Sequence, residues 1–238
     1  FYQDTSRNDR PKGPKRQFTR VELQLASRHL EDFFECDDQV SGFGSDTEIV
    51  TEDRIRAALH DWVADPHSQM LAVGGSPTAA RISSCYVDIS RKTKVPVISH
   101  FCSPSSQVAE GMSTLEHGLV SLAYSLIRQL IDCLPPVLGC CASYDLGAER
   151  FSLLDGTLAN WKEVLSLIDM LLECAPPLLF CVVDGLDMLR DPSTSLYIQS
   201  LLRVFLVHVG RQSAPLEGQL LHKVLFTVSG PATWLMEM

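Results

Sequence analysis

Asp184 and Asp187 close the stretch Leu178-Leu179-Phe180-Cys181-Val182-Val183-Asp184-Gly185-Leu186-Asp187, in which six apolar residues run unbroken into two acids. A continuous apolar run this short predicts a strand buried on both faces, as in a parallel sheet covered by helices. An acid at the carboxyl end of such a strand opens onto the crevice where open α/β sheets bind ligands. Two carboxylates there suit phosphoryl chemistry, in which one acid holds a magnesium ion and a neighbouring acid can orient an attacking water.

A second constellation, Gly74-Gly75-Ser76-Pro77-Thr78-Ala79-Ala80-Arg81-Ile82-Ser83, follows another apolar run and opens a helical stretch. A phosphate-cradling loop in that position reads Gly-x-x-x-x-Gly-Lys-Ser/Thr. Its glycines let backbone N–H groups wrap the phosphates, the lysine neutralises their oxygens and the hydroxyl ligates magnesium. With Gly75 as the first glycine, the second falls on Ala80, the lysine on Arg81 and the hydroxyl on Ile82. Ser83 comes one place late, about 100° further round a helix. Ala80 adds a Cβ where backbone must approach phosphate, Pro77 removes an N–H, and the planar fork of Arg81 does not replace an ammonium. By itself this turn is a weak signal; its placement ahead of Asp184 gives it weight.

The elements that must hold these residues are legible from periodicity. Apolar spacing predicts helices over 19–35, after Thr51 (as N-cap) to about Ala64, over 78–91, behind a Ser113–Glu116 capping box to Leu134, over 158–174 and over 193–209. Strands are predicted at 69–74, 95–101, 178–184 and 223–228. Strands separated by helices give an α/β chain with a parallel sheet and helices on both sides, a three-layer α/β/α arrangement. We divide the chain into an N-terminal extension and helix (1–50) and a core domain (51–238).

Composition narrows the function classes. In 238 residues with 45% hydrophobic and 21% charged there is material for one large core. A net charge of -9 argues against nucleic acid or an anionic membrane as partner. The basic cluster Arg10, Lys12, Lys15 and Arg16, set among prolines and Gly13, reads as a solvated linker. Eight cysteines show no Cys-x-x-Cys pair and no disulfide framework, which points to free thiols in a reducing, cytoplasmic setting and to no zinc site. No signal peptide or bilayer-length apolar stretch is evident. The chain starts at Phe1 and stops just after an apolar strand, and so reads as a domain cut from a longer protein. His100 and Cys102 share a strand face, but no third group orients them, so core filling is favoured over catalysis. Trp62 and Trp161 fall on apolar helix faces and read as packing residues.

In order along the chain come Trp62, Leu71-Ala72-Val73-Gly74-Gly75, Val97-Ile98-Ser99-His100-Phe101-Cys102, the helix ending Leu126-Ile127-Arg128-Gln129-Leu130, Trp161, Val182 to Asp187, and Lys223-Val224-Leu225-Phe226-Thr227. This set resembles the nucleotide-binding core of STAND-class P-loop NTPases, and within that class the fungal NACHT-like, or nephrocystin-like N-terminal, domains. The resemblance spans residues 50–235 and implies ATP or GTP with Mg²⁺ as cofactor, a place in a larger signalling chain, and protein partners. It assigns the metal to Asp184, water positioning to Asp187, and nucleotide contacts to Gly74, Gly75, Ala80, Arg81, Ile82, Ser83 and Thr227. The chain departs from the family at the loop, at Met188 (usually Glu) and after Thr227, where Val228-Ser229-Gly230 replaces Ser-Arg. Those departures imply weak or lost nucleotide binding and little hydrolysis. The alternatives are a scaffold that keeps the fold and binds no nucleotide, and an active ATPase or GTPase in which Arg81 stands in for lysine.

Overall fold

A computed structural model describes residues 17–35, 52–75, 78–103, 111–138, 145–210 and 220–236. Thr51, Ser76 and Pro77 lie outside them. The elements are β1 (Phe18–Thr19), α1 (Arg20–Ala26), α2 (Asp53–Ala64), β2 (Gln69–Gly74), α3 (Ala79–Lys92), β3 (Val97–Phe101) and α4 (Thr114–Cys133). They continue as β4 (Val137–Leu138), α5 (Ala148–Phe151), α6 (Trp161–Glu173), β5 (Leu178–Asp184), α7 (Ser195–Gly210), β6 (Leu221–Val228) and α8 (Thr233–Met236).

Four strands form one parallel sheet in the order β2-β6-β5-β3. Side chains alternate between its faces, as the pleat requires. Leu71, Val73, Val97, Phe101, Phe180, Val182 and Leu225 pack with Leu59 and Trp62 of α2 and Ile82 and Val87 of α3. Met70, Ala72, Ile98, Leu179, Cys181, Val183, Val224 and Phe226 join the larger core built on α4, α6 and α7. Helices therefore cover both faces, with α2 and α3 on one side and α4 and α7 on the other; α6 packs against α4 and α7.

Local chemistry explains the ends of several elements. Ser113 accepts the Glu116 N–H and Glu116 returns to the Ser113 N–H, so the capping box starts α4 as its sequence predicts. The helix expected over 19–35 is instead two pieces. Thr19 and Glu22 cap α1, the Ser27 hydroxyl donates back to Leu23 O at 2.7 Å, and the chain tightens into a 3₁₀ segment, Arg28–Phe33. Leu23 and Leu30 are thereby both buried against α4, where Arg128 donates to Gln24 O (3.0 Å) and Ser27 Oγ (2.7 Å) and pairs with Glu31. Strand β6 begins two residues earlier than expected. Its Lys223 is buried, and the ammonium donates to Trp62 O (2.6 Å) and Asp65 O (2.7 Å), capping the carbonyl end of α2. Burial holds that ammonium below the usual lysine range, and the nearby Asp65 charge offsets part of the effect.

Among the described residues no helix is long and apolar enough to cross a membrane.

Candidate functional site

Parallel strands bring the residues singled out by type to one edge of the sheet. The register pairs Val73 with Thr227, Thr227 with Asp184 and Asp184 with Phe101. Asp184 thus ends β5 one strand away from the residue before Gly74, an offset of about 10 Å across two strand spacings. By the two-residue period Asp184 and Thr227 point to the α3 side, and there they meet the helix. The Thr227 hydroxyl donates to Asp184 Oδ1. Ser83 Oγ lies 2.5 Å from Thr227 Oγ1. Because Thr227 spends its proton on the carboxylate, Ser83 is the donor in that second bond. The result is a chain from buried Ser83 through buried Thr227 to half-buried Asp184, joining α3 to the centre of the sheet.

Ile82, at the motif's hydroxyl position, is buried among Val73, Val87 and Leu225. Ser83, one place on, faces the acid. Ala80 and Arg81 are half-buried in the first turn of α3. Gly75 turns the chain with a φ of +71°, a conformation that side chains rarely adopt, and a Cβ there would meet nothing within 4 Å. Gly74 is needed for a different reason, since its Cβ would come within 2.5 Å of Gly230 O and 2.7 Å of Ala232 N. The turn after β6 is packed directly on the glycine bend.

Asp187 sits in a 3₁₀ turn, Leu186–Leu189, and its carboxylate faces that same turn. It accepts the Ser229 N–H at 3.1 Å and the Gly230 N–H at 3.1 Å. Three residues on, the Arg190 guanidinium stacks over the Trp234 ring at 4.7 Å. Sequence reasoning missed the Ser229 and Gly230 amides and the Arg190–Trp234 pair, for which neither spacing nor composition gives a signal. Burial pushes the Asp184 carboxyl above the usual range; the Thr227 hydrogen bond opposes the shift and the Asp187 charge adds to it.

Chemically, the site offers one carboxylate and one hydroxyl at the carboxyl ends of the two central strands and a second hydroxyl from α3. Among the described residues no three His, Cys, Asp or Glu side chains are placed to hold a metal ion. A hard divalent cation held through a single carboxylate, with hydroxyl, phosphate and water oxygens completing the shell, is the one metal arrangement this donor set fits. His100 and Cys102 are both buried, one on a sheet position facing α4 and the other just past the end of β3.

No curated protein and no solved structure matches the chain significantly. A family model does, over residues 54–217, a span that takes in the glycine bend, the acid-ended strand and α7. The parallel order of those elements and this match agree, and the chain belongs to the family described as Nephrocystin 3, N-terminal.

Proposed function

We propose that the chain is a NACHT-like P-loop module of a STAND-type signalling protein, with a weakened grip on nucleotide and little hydrolysis. The observation that carries the reading is the row Val73–Thr227–Asp184, which sets an acid beside a glycine bend at the carboxyl ends of parallel strands. Gly74, Gly75 and the first turn of α3 would border the phosphates, Arg81 would supply charge, and Asp184 with Ser83 and Thr227 would hold Mg²⁺. Bound Mg²⁺ would supply charge neutralisation at the phosphate oxygens. Asp187 supports low turnover, because a carboxylate already accepting two backbone N–H groups is poorly placed to steer water.

A second reading has its own support: Ser83 and Thr227 already satisfy Asp184 from within, as a scaffold that binds no nucleotide would need. Thermal melting separates the two. If Mg-ATP or Mg-GTP is present at roughly five times its Kd, stabilisation amounts to about 1 kcal/mol, or about 2–4 °C in melting temperature. We expect such a shift only at millimolar nucleotide, and its disappearance in Asp184→Asn. No shift at 10-fold higher concentration (on the order of 10 mM) leaves the scaffold reading standing.

A further inference from the structure

Two separate contacts converge on the four residues Ser229–Ala232, and a third falls just beyond them. The carboxylate of Asp187 accepts both the Ser229 and the Gly230 N–H. The glycine bend touches the same turn, with the Gly74 Cβ position 2.5 Å from Gly230 O and 2.9 Å from Ala232 Cβ. Immediately beyond, Leu235 N bonds Ala232 O to form α8, and the Trp234 ring lies under Arg190. Leu235 anchors α8 in the main core, so the helix is held from one side by packing and from the other by the acid-bearing turn.

These contacts are independent of the hydroxyl chain that holds Asp184. Leu186–Leu189 follows β5, contacts β6 and α4, and leads into Arg190, whose guanidinium lies over Trp234 of α8. A charge-assisted hydrogen-bond pair and a cation–π contact are directional, and a small rotation of the turn breaks both at once. Close-packed junctions of this kind respond in discrete steps, not by gradual deformation.

We propose that Asp187 and Arg190 form a strap that couples the acid-bearing turn to α8, so that the position and order of α8 report the state of the site. Asp187 is on this account a positioning residue for Ser229 and Gly230, and Arg190 one for Trp234. The strap itself is a property of the chain without any ligand; its use as an output rests on the nucleotide reading above.

Amide hydrogen exchange, read by mass spectrometry on the intact chain, tests it. Arg190 is exposed, so Arg190→Ala removes the stacking contact without opening the core. We expect exchange over Thr233–Met236 to quicken by about fivefold or more in Arg190→Ala and in Asp187→Ala, while α6 amides stay unchanged. Arg190→Lys should recover only part of the protection, because an ammonium lacks the planar face that stacks on indole. Trp234 emission should shift in Arg190→Ala and be absent as a signal in Trp234→Phe. Unaltered exchange over α8 in both alanine variants, or an equal rise across the whole chain, overturns the strap. Addition of Mg-ATP to the wild type separates the two claims. A melting shift with no change over α8 retains the nucleotide reading and removes the strap's role as output. Variant effects with no melting shift retain the strap and remove the nucleotide reading.

Discussion

Unfolding free energy is expected to fall by about 4 kcal/mol between pH 7 and pH 5, driven by two histidines. His100 and His222 are almost wholly buried, and neither His100 Nδ1 nor His222 Nε2 finds a hydrogen-bond partner among the described residues. Burial pushes His100 down to about 3. Burial, with the His208 ring nearby, pushes His222 down to about 4. The unfolded chain takes up protons on both near pH 6.5, where the folded protein takes up none. Stability is therefore fully present above about 6.5 and is lost as the pH falls toward the folded values. Each histidine contributes about 1.4 kcal/mol per pH unit, so one and a half units cost about 2 kcal/mol apiece. Asp184 acts in the opposite sense, since its raised value lets the folded state hold a proton just above the ordinary carboxyl range. Asp65 and Asp191, both lowered by hydrogen bonds from neighbouring residues, add to the loss only below about 4. Urea unfolding at pH 7, 6 and 5 checks the slope, and the variant His100→Leu/His222→Leu should be nearly flat over that range. An acid slope that survives in the double variant places the proton uptake elsewhere.

What the sequence reveals about this fold divides along a physical line. Strands β2 and β5 lie where apolar runs put them, and α4 begins at its capping box, because burial on both faces and capping are written in adjacent residues. The β1–β4 pair escaped because two-residue strands carry no period. The start of β6 was obscured by His222, a polar residue buried one place ahead of Lys223, whose ammonium in turn is satisfied by α2 carbonyls. At the candidate site, strand order brings Gly74 and Asp184 near each other. Yet the α3 side chain linked to the acid, through the Thr227 hydroxyl, is Ser83, one place past the motif position at Ile82, since helix phase is fixed by packing that a loop motif does not encode. The duties of Asp187 depend on residues more than forty positions away, beyond the reach of any local pattern.

Gln129 shows how much can hide in such a pattern. Within Leu126-Ile127-Arg128-Gln129-Leu130 it reads as one polar letter in an apolar helix, yet it closes the outer side of the sheet. Among the described residues strand β3 is an edge, and the Ser99 N–H donates to Gln129 Oε1 at 2.9 Å while Gln129 Nε2 donates to Ser99 O at 2.7 Å. One side-chain amide thus takes the place of a missing neighbouring strand, satisfying both backbone groups of a buried residue. Gln129→Leu keeps the volume and the helix propensity but removes the side-chain amide that pairs with that N–H and carbonyl. At about 1–3 kcal/mol for each group that loses this partner, the expected loss is about 2–6 kcal/mol, or a drop of roughly 4–24 °C in melting temperature. Gln129→Glu discriminates the mechanism further. Its carboxylate still accepts from Ser99 N–H but repels Ser99 O, so its deficit against the wild type should shrink as the acid protonates and regains a donor. If Gln129→Leu unfolds within about 0.5 kcal/mol of the wild type in urea, the amide is not what seals that edge.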